Sequence, residues 1–262
     1  GDGVHVGWFG VSPSETAGNN TKYIQKAIDS LPSTGGKLRF DTVHTGTYEI
    51  NGQFSISTSN TVAYFSPDTT ILQRLNGDSI ITVSGANSTN RLDNVILYGN
   101  GVTFDGDNDA SIAINCQYID NSLIDNFTTN NCITNGISLG GTGVDLGYQN
   151  RIYNCKGTNN GTFGIIAIGQ HDLEMDYNDY RSSGDSDYDI KNCVDFHFHH
   201  NRSTDSTEYG VNIRCGSAGS DVSGIVDHNT VLNAGKSSFY IHHDTQQGST
   251  GVLRDIIVTG NR

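Results

Sequence analysis

The side chains best suited to chemistry lie on three consecutive segments of alternating polarity, at 188–192, 209–214 and 239–244. Ile190, Val211 and Ile241 supply the apolar, inward positions, so the residues between them should face outward. The outward set combines carboxylates, cations and hydrogen-bonding groups: Asp189, Lys191, Asn212, Arg214, Tyr240, His242 and Asp244.

Successive coils of a solenoid lie about 4.8 Å apart, which would stack these outward residues in columns. The two preceding coils carry small or apolar residues at the equivalent positions, so the polar groups are concentrated as in a functional site. Two columns are predicted: Lys191, Asn212 and His242 in the first, and Cys193, Arg214 and Asp244 in the second.

Cleavage of a uronic acid polymer by β-elimination would use this set of groups. The sugar carboxylate must be neutralised, a base must reach the C5 proton, and an acid must serve the leaving oxygen. A second cation nearby favours the neutral, basic form of Lys191. Arg214, Tyr240 or His242 would hold or protonate the oxygen. These four residues are the predicted catalytic set, and the predicted substrate contacts are Asp189, Asn212, Asp244 and Arg181.

The same residues allow three other interpretations. A hydrolase would use two of Asp187, Asp189 and Asp244 as acid and base, and the separation of the carboxylates would distinguish it from a lyase. A glycan-binding fibre or adhesin module would present aromatic platforms, for which Tyr209 and Tyr240 are candidates. In a purely structural solenoid the charges would form a solvated ladder of ion pairs.

A second polar constellation surrounds a His-x-His pair. With the two phenylalanines of 196–199 facing inward, His197 and His199 face outward, with Glu174 and Asp176 one coil before and Asp227 one coil after. Imidazole and carboxylate ligands in this arrangement suit a transition metal. The alternative is a polar surface ladder, with His197 over Glu174 and His199 between the two aspartates.

The chain is strongly acidic, with 28 Asp and Glu against 15 Lys and Arg in 262 residues. Nucleic acid is not an expected partner, because phosphate binding needs a basic face. The apolar runs are too short to span a bilayer, so no membrane partner is expected. An acidic polysaccharide would be repelled at long range, but basic residues in the catalytic coils would offset this locally: Arg151, Lys156, Arg181, Lys191, Arg202, Arg214 and Lys236.

A short strand closing on Asn recurs throughout the chain, and a second strand follows it in most units. Asn, Asp and Gly are abundant, and these residues favour turns over helices. The period predicts an all-β fold, a single-stranded right-handed parallel β-helix with residues 1–50 as cap and first strands and residues 51–262 as coils of one continuous domain. The repeating positions are Asn100, Asn126, Asn154, Asn178, Asn201, Asn229 and Asn261.

The two ends of the stack differ from its middle. Asn20-Thr21 precedes apolar residues at helical spacing, which predicts a short capping α-helix with its N-cap there. The chain finishes inside a repeat, which leaves a further coil, a further domain or a homotrimer partner as expectations for that end. Five cysteines without a CxxC pair are expected to be buried thiols.

Several N-terminal segments resemble the opening of the pectate-lyase-like superfamily, which recurs in phage tailspikes, alginate epimerases and polysaccharide lyases. The resemblance implies the β-helix fold more than a function. It rests on Trp8-Phe9-Gly10, on 23–29 (YIQKAID), on 35–38 (GGKL) and on Gly46-Thr47-Tyr48.

The predicted site also resembles polysaccharide lyase family 6, which includes chondroitinase B and many alginate lyases. The matching segments are 189–192 (DIKN), His200-Asn201 and 210–214 (GVNIR). The resemblance implies that Lys191 is the base and Arg214 the acid. Cys215 stands where the family has His, and Asp185 and Asp187 stand roughly where it has calcium-binding glutamates, so calcium is the one implied cofactor.

The favoured function is therefore a secreted, extracellular or virion-associated enzyme that degrades an acidic polysaccharide of the alginate or glycosaminoglycan type by β-elimination. A glycoside hydrolase, a tailspike depolymerase and an epimerase are alternatives on the same fold.

Overall fold

The computed structural model describes residues 3–40, 45–74, 77–141, 145–216, 221–243 and 251–262. Over these ranges the chain forms a parallel β-solenoid of about seven turns, with one α-helix near its N-terminus. The predicted class, an all-β parallel β-helix with a short capping helix, is confirmed.

Short strands make up nearly all of the regular structure. The α-helix α1 covers Ala17–Asp29 and follows a 3-10 turn at Val6–Phe9. The strands in chain order are β1 (Val4–His5), β2 (Gly36–Arg39), β3 (Gly46–Ile50), β4 (Phe54–Ile56), β5 (Thr61–Tyr64), β6 (Thr69–Gln73), β7 (Ile81–Ser84), β8 (Leu92–Asp93), β9 (Ile96–Tyr98), β10 (Thr103–Asp105), β11 (Ile112–Gln117), β12 (Ile119–Asp120), β13 (Leu123–Asp125), β14 (Thr128–Asn130), β15 (Asn135–Leu139), β16 (Gly147–Tyr148), β17 (Arg151–Tyr153), β18 (Lys156–Thr158), β19 (Phe163–Ile168), β20 (Gln170–His171), β21 (Glu174–Asp176), β22 (Asp179–Arg181), β23 (Ser186–Lys191), β24 (Phe196–His199), β25 (Arg202–Thr204), β26 (Tyr209–Cys215), β27 (Val222–Asp227), β28 (Thr230–Leu232), β29 (Ser237–His243) and β30 (Leu253–Thr259).

The strands stack into four parallel sheets that run along the solenoid. Sheet A has ten strands (β1, β2, β5, β9, β13, β17, β21, β24, β27, β30), and sheet B has eight (β3, β6, β10, β14, β18, β22, β25, β28). Sheet C has eight (β4, β7, β11, β15, β19, β23, β26, β29), and the short sheet D has four (β8, β12, β16, β20). A complete coil passes through sheets A, B and C in turn. Side chains at equivalent strand positions of successive coils therefore lie next to one another.

The recurring Asn-terminated segments of the sequence form sheet A, and the second segments form sheet C. Two of these second segments are β15, at 135–139, and β19, at 163–168. Sheets B and D were not predicted, because most of their strands have only two or three residues and are too short to show an alternating pattern.

The corner that follows sheet A holds two distinct columns, and the prediction of one repeating Asn column is wrong. The outer column consists of residues with a left-handed backbone conformation, which Asn and Gly adopt most easily: Asn100, Asn126, Asn154, Tyr177, His200, His228 and Gly260. The inner column is a hydrogen-bonded ladder of the next residues in the last four coils: Asn178, Asn201, Asn229 and Asn261.

Replacing Asn201 by alanine should destabilise the fold substantially. Its Nδ2 donates to the Met175 carbonyl oxygen at 2.8 Å, and its Oδ1 accepts from the Asn178 backbone N–H at 3.0 Å. Losing these partners inside the solenoid should cost about 2–4 kcal/mol of unfolding free energy, measurable by denaturant titration. The control Asn233→Gly removes one exposed hydrogen bond to Asp205 and should cost under about 1 kcal/mol. Equal losses for the two variants would contradict a structural role for the ladder.

The capping helix begins four residues earlier than the sequence pattern indicates. Thr16 is the N-cap and accepts a hydrogen bond from the Asn19 backbone N–H, so the predicted cap at Asn20-Thr21 is wrong. Asn20 is instead buried, and its Nδ2 donates to the carbonyl oxygens of Ser12 and Glu49. The side chain that resembles a cap therefore holds the helix against the first complete coil.

A continuous apolar core fills the solenoid from Val6 to Val231. At the last coil the pattern changes, because no further strand packs beyond β29 and β30 in the described residues. Ile241 is 37% exposed there, although Ile213, its partner in the preceding coil, is completely buried.

All five cysteines are buried thiols, as expected, and burial raises the pKa of Cys116, Cys132, Cys155 and Cys193 to about 12. Among the described residues, no helix is both long and apolar enough to cross a membrane.

Candidate functional site

The outer face of sheet C brings all four predicted catalytic residues together, in columns that differ from the predicted ones. Lys191 pairs in register with Arg214, and Arg214 pairs with His242. The neighbouring column contains Asp189, Asn212 and Tyr240. Both predicted columns are therefore wrong. Lys191, Asn212 and His242 lie on the predicted sheet but are not aligned, and Arg214 aligns with Lys191 rather than with Cys193.

Arg214 is held in place by a fully buried carboxylate. Its Nε and Nη2 donate to Asp189 Oδ1 and Oδ2 at 3.0 and 2.7 Å, and the Asp189 side chain is 0% exposed. Burial raises the pKa of Asp189 above its ordinary value, while the hydrogen bonds and charge of Arg214 oppose that rise. Asp189 thus positions a cation, and its carboxylate is not presented to solvent as a substrate contact.

Lys191 lies over the chain that leaves the next coil. A Cβ atom at Gly216 would come within 2.2 Å of Lys191 Cε, so glycine at this position makes room for the lysine stem. The Gly216 N–H donates to Asn192 Oδ1 at 2.7 Å, which fixes the chain beneath the lysine. Lys191 itself is partly exposed.

An aromatic stack borders the cationic column. The Tyr240 ring lies 4.6 Å from that of Tyr209 and 4.1 Å from the His242 ring, measured between centroids. The His242 Nε2 also lies 3.2 Å from Asn212 Oδ1, which ties the imidazole to the preceding coil. Tyr240 is 38% exposed, so its outer edge can contact a sugar.

Tyr209 extends this stack, although the sequence predicted it only as an aromatic platform of a glycan-binding module and not as part of the catalytic site. Lys236 Nζ lies 5.7 Å from the Tyr209 ring centroid and 2.6 Å from Glu208 Oε2. Tyrosine directly before the Gly-x-x-x-Arg segment was the available signal, but alternation within one strand does not show which rings will stack between coils.

Asp187 and Asp185, the predicted calcium ligands, have different environments. Asp187 is completely buried and accepts hydrogen bonds from the Ser203 hydroxyl at 2.6 Å and from the backbone N–H groups of Ser183 and Thr204. Asp185 is partly exposed and accepts from the Ser186 hydroxyl. Asp187 therefore faces the interior rather than an outer cation site, and burial raises its pKa although its hydrogen bonds oppose this.

The Asp187→Ala and Asp185→Ala variants should separate these two environments. Removing the Asp187 carboxylate leaves buried donors without an acceptor, which should cost about 2–4 kcal/mol of unfolding free energy. Asp185→Ala is the matched control and should cost under about 1 kcal/mol. Both would be measured by denaturant unfolding with and without calcium. A calcium-dependent stabilisation that both variants abolish would contradict the interior role of Asp187 and would support a calcium site shared by the two aspartates.

Two other predicted substrate contacts do not join this group. Arg181 lies on sheet B, where it lines a shallow groove with Lys156 and Asp179, and Arg202 follows in the next coil. The Arg181 Nη2 donates to Asp179 Oδ2 at 3.2 Å. Asp244 lies outside the described residues.

No family model matches the sequence, and no curated protein matches it either. Solved structures do share its fold. The pre-mature gene product 12 of bacteriophage phi29 superposes with a TM-score of 0.73 at 16% identity, over 91% of this chain and 34% of that protein. A tailspike mutant of the E. coli bacteriophage HK620, solved in complex with a hexasaccharide, gives 0.65 at 18% identity, over 99% of this chain and 50% of that one.

A bacterial enzyme has a similar fold. The family 28 exopolygalacturonase of Yersinia enterocolitica gives a TM-score of 0.64 at 14% identity, over 98% of this chain and 75% of that enzyme. The chain spans about a third of the phi29 protein and half of the tailspike. At these identities the comparisons establish that the chain has the β-helix fold of phage tailspikes and of a polysaccharide-degrading enzyme.

Proposed function

We propose that the chain degrades a uronic-acid-containing polysaccharide by β-elimination on the outer face of sheet C. The observation that carries this proposal is the alignment of Lys191, Arg214 and His242 on three adjacent strands, with Arg214 fixed by the buried Asp189. In the proposed reaction these three residues serve as base, fixed cation and proton donor, and a polymer would lie along the column that they form.

Each of the three residues has a distinct role in the proposed reaction. Arg214 neutralises the sugar carboxylate, because a guanidinium is always a cation and the salt bridge with Asp189 fixes its position. Neutral Lys191 removes the C5 proton, the electron pair of that bond forms the C4–C5 double bond, and the C4–O bond breaks. His242 gives a proton to the leaving oxygen, and Tyr240 contacts the sugar ring.

The positions of the candidate carboxylates favour elimination over hydrolysis. A glycosidase needs two carboxyl groups facing the substrate across the scissile bond. Of the candidates within the described residues, Asp187 points into the interior and Asp189 is bonded to Arg214.

A fold shared with phage tailspikes also supports an extracellular or virion-associated location.

The test is incubation of the purified chain with a panel of uronic acid polymers, each with and without chelator. A rise in ultraviolet absorbance from unsaturated sugar ends would support elimination, and its loss with chelator would support the calcium prediction. New reducing ends without the absorbance would overturn the proposal in favour of a hydrolase. A polymer that retards the chain in affinity electrophoresis, without a rise in absorbance and without new reducing ends, would overturn the proposal in favour of a glycan-binding module.

A further inference from the structure

A second cluster of polar residues lies on the outer face of sheet A and takes no part in the proposed reaction. The register aligns Glu174 with His197, and Asp176 with His199 and then Asp227, as the sequence predicts. These residues belong to strands β21, β24 and β27 of three successive coils. The cluster is therefore built across coils rather than within one loop.

Three side chains of this cluster converge closely enough to bind one metal ion. Glu174, His197 and His199 each place one ligand atom within 4.8 Å of the others. The two imidazole rings stack with centroids 4.0 Å apart, and His199 Nε2 lies 3.3 Å from Glu174 Oε1. His197 and Glu174 are 44% and 41% exposed, so an ion can reach them from solvent.

The surroundings of the three side chains resemble the outer shell of a metal site. Asp227 Oδ1 lies 2.8 Å from His197 Nε2, and its other oxygen lies 2.7 Å from His228 Nδ1. A carboxylate that holds a histidine in this way fixes its orientation and makes it a better ligand.

The local charge also favours a cation. The cluster contains three carboxylates, those of Glu174, Asp176 and Asp227, but only one arginine. Arg151 forms two hydrogen bonds with Asp176, at 2.9 and 2.6 Å, and its Nε lies 3.3 Å from Glu174 Oε2. The arginine is thus held mainly by Asp176, which leaves Glu174 Oε1 directed towards His199.

We propose that Glu174, His197 and His199 bind a divalent transition-metal ion, with Asp227 as the residue that positions His197. Two imidazoles and one carboxylate match the ligands of zinc, whereas calcium and magnesium prefer all-oxygen sites. Because the ligands come from β21 and β24, the ion links two successive coils and stabilises the stack.

Isothermal titration of the chelator-treated chain with zinc chloride tests the site. We expect one zinc ion per chain and a raised midpoint of thermal unfolding. His199→Gln and Glu174→Gln should each weaken binding by at least about tenfold, and Asp227→Asn by about 10–100-fold. The matched control is His171→Gln, which removes a histidine paired with Asp145 at 2.6 Å on sheet D.

Cobalt(II) absorption spectra identify the ligands independently of affinity. Visible bands of a four- or five-coordinate cobalt site should appear in the wild type and in His171→Gln, and should be lost in His199→Gln. Circular dichroism would establish that each variant is folded. Zinc affinity unchanged in both ligand variants, or calcium that displaces zinc at equal concentration, would overturn the proposal.

Discussion

Replacement of Lys191 by alanine is expected to lower the rate constant of polymer cleavage by about 10²–10⁴-fold, the usual contribution of a positioned general base. The reason is that Lys191 is the proposed base of the aligned column, whereas its neighbour Arg214 is always charged and cannot take the C5 proton. KM should change little, because the lost interaction forms in the transition state rather than in the bound ground state. The measurement is the initial rate of absorbance increase over a range of polymer concentrations.

The control for this variant is Lys156→Ala. Lys156 is exposed on the outer face of sheet B, so its loss removes the same charge without touching the column. It should leave the rate constant within about twofold and change only the salt dependence of polymer binding. A Lys191→Ala enzyme that retains more than about a tenth of the wild-type rate constant would contradict the assignment of Lys191 as base.

Replacing Arg214 by methionine should have the second large effect, this time on stability. The variant leaves the completely buried Asp189 carboxylate without its partner, which should cost about 3–5 kcal/mol at neutral pH. The double variant Asp189→Asn/Arg214→Met removes both charges and should recover most of this loss. Denaturant unfolding of the wild type, both single variants and the double variant gives the coupling energy.

The same cycle has a predicted pH dependence. Burial raises the pKa of Asp189, and in Arg214→Met the guanidinium that opposes this rise is gone. The folded protein then keeps the Asp189 proton after the unfolded chain has released it. Stability should fall as pH rises from about 4 through the raised folded pKa, and should be regained as pH falls. The double variant should lack this dependence, and a double variant as unstable as Arg214→Met would contradict the role of the buried pair.

Corner residues show how far a repeat can be followed in a sequence. Asparagine is favoured both in the left-handed outer column and in the hydrogen-bonded inner ladder, so Asn154 and Asn178 look equivalent in the sequence. In the structure Asn154 has a positive φ, whereas Asn178 is the residue after the left-handed Tyr177. The coil period is visible because both columns prefer asparagine, but the same preference conceals the shift of one position between them.

The arrangement of the site was only partly predictable, for a similar reason. Alternation has a period of two, so it fixes the face on which Lys191 lies but does not change when a neighbouring strand slides by two residues. The turns between coils decide that slide, and they pair Lys191 with Arg214 rather than with Asn212. Asp187 departs from alternation altogether, since it and Tyr188 are both buried where the chain bends from sheet B to sheet C.

The sequence was enough to predict the solenoid, most strands of sheets A and C, and the face that carries Lys191, Arg214 and His242. These features follow from local periodicity, which each strand expresses independently. The assembled fold was needed to show which residues stand side by side, that Asp189 is buried against Arg214, and that Glu174 meets His197 and His199. Contacts between coils depend on the lengths and conformations of intervening turns, and so they become defined only when the whole stack is assembled.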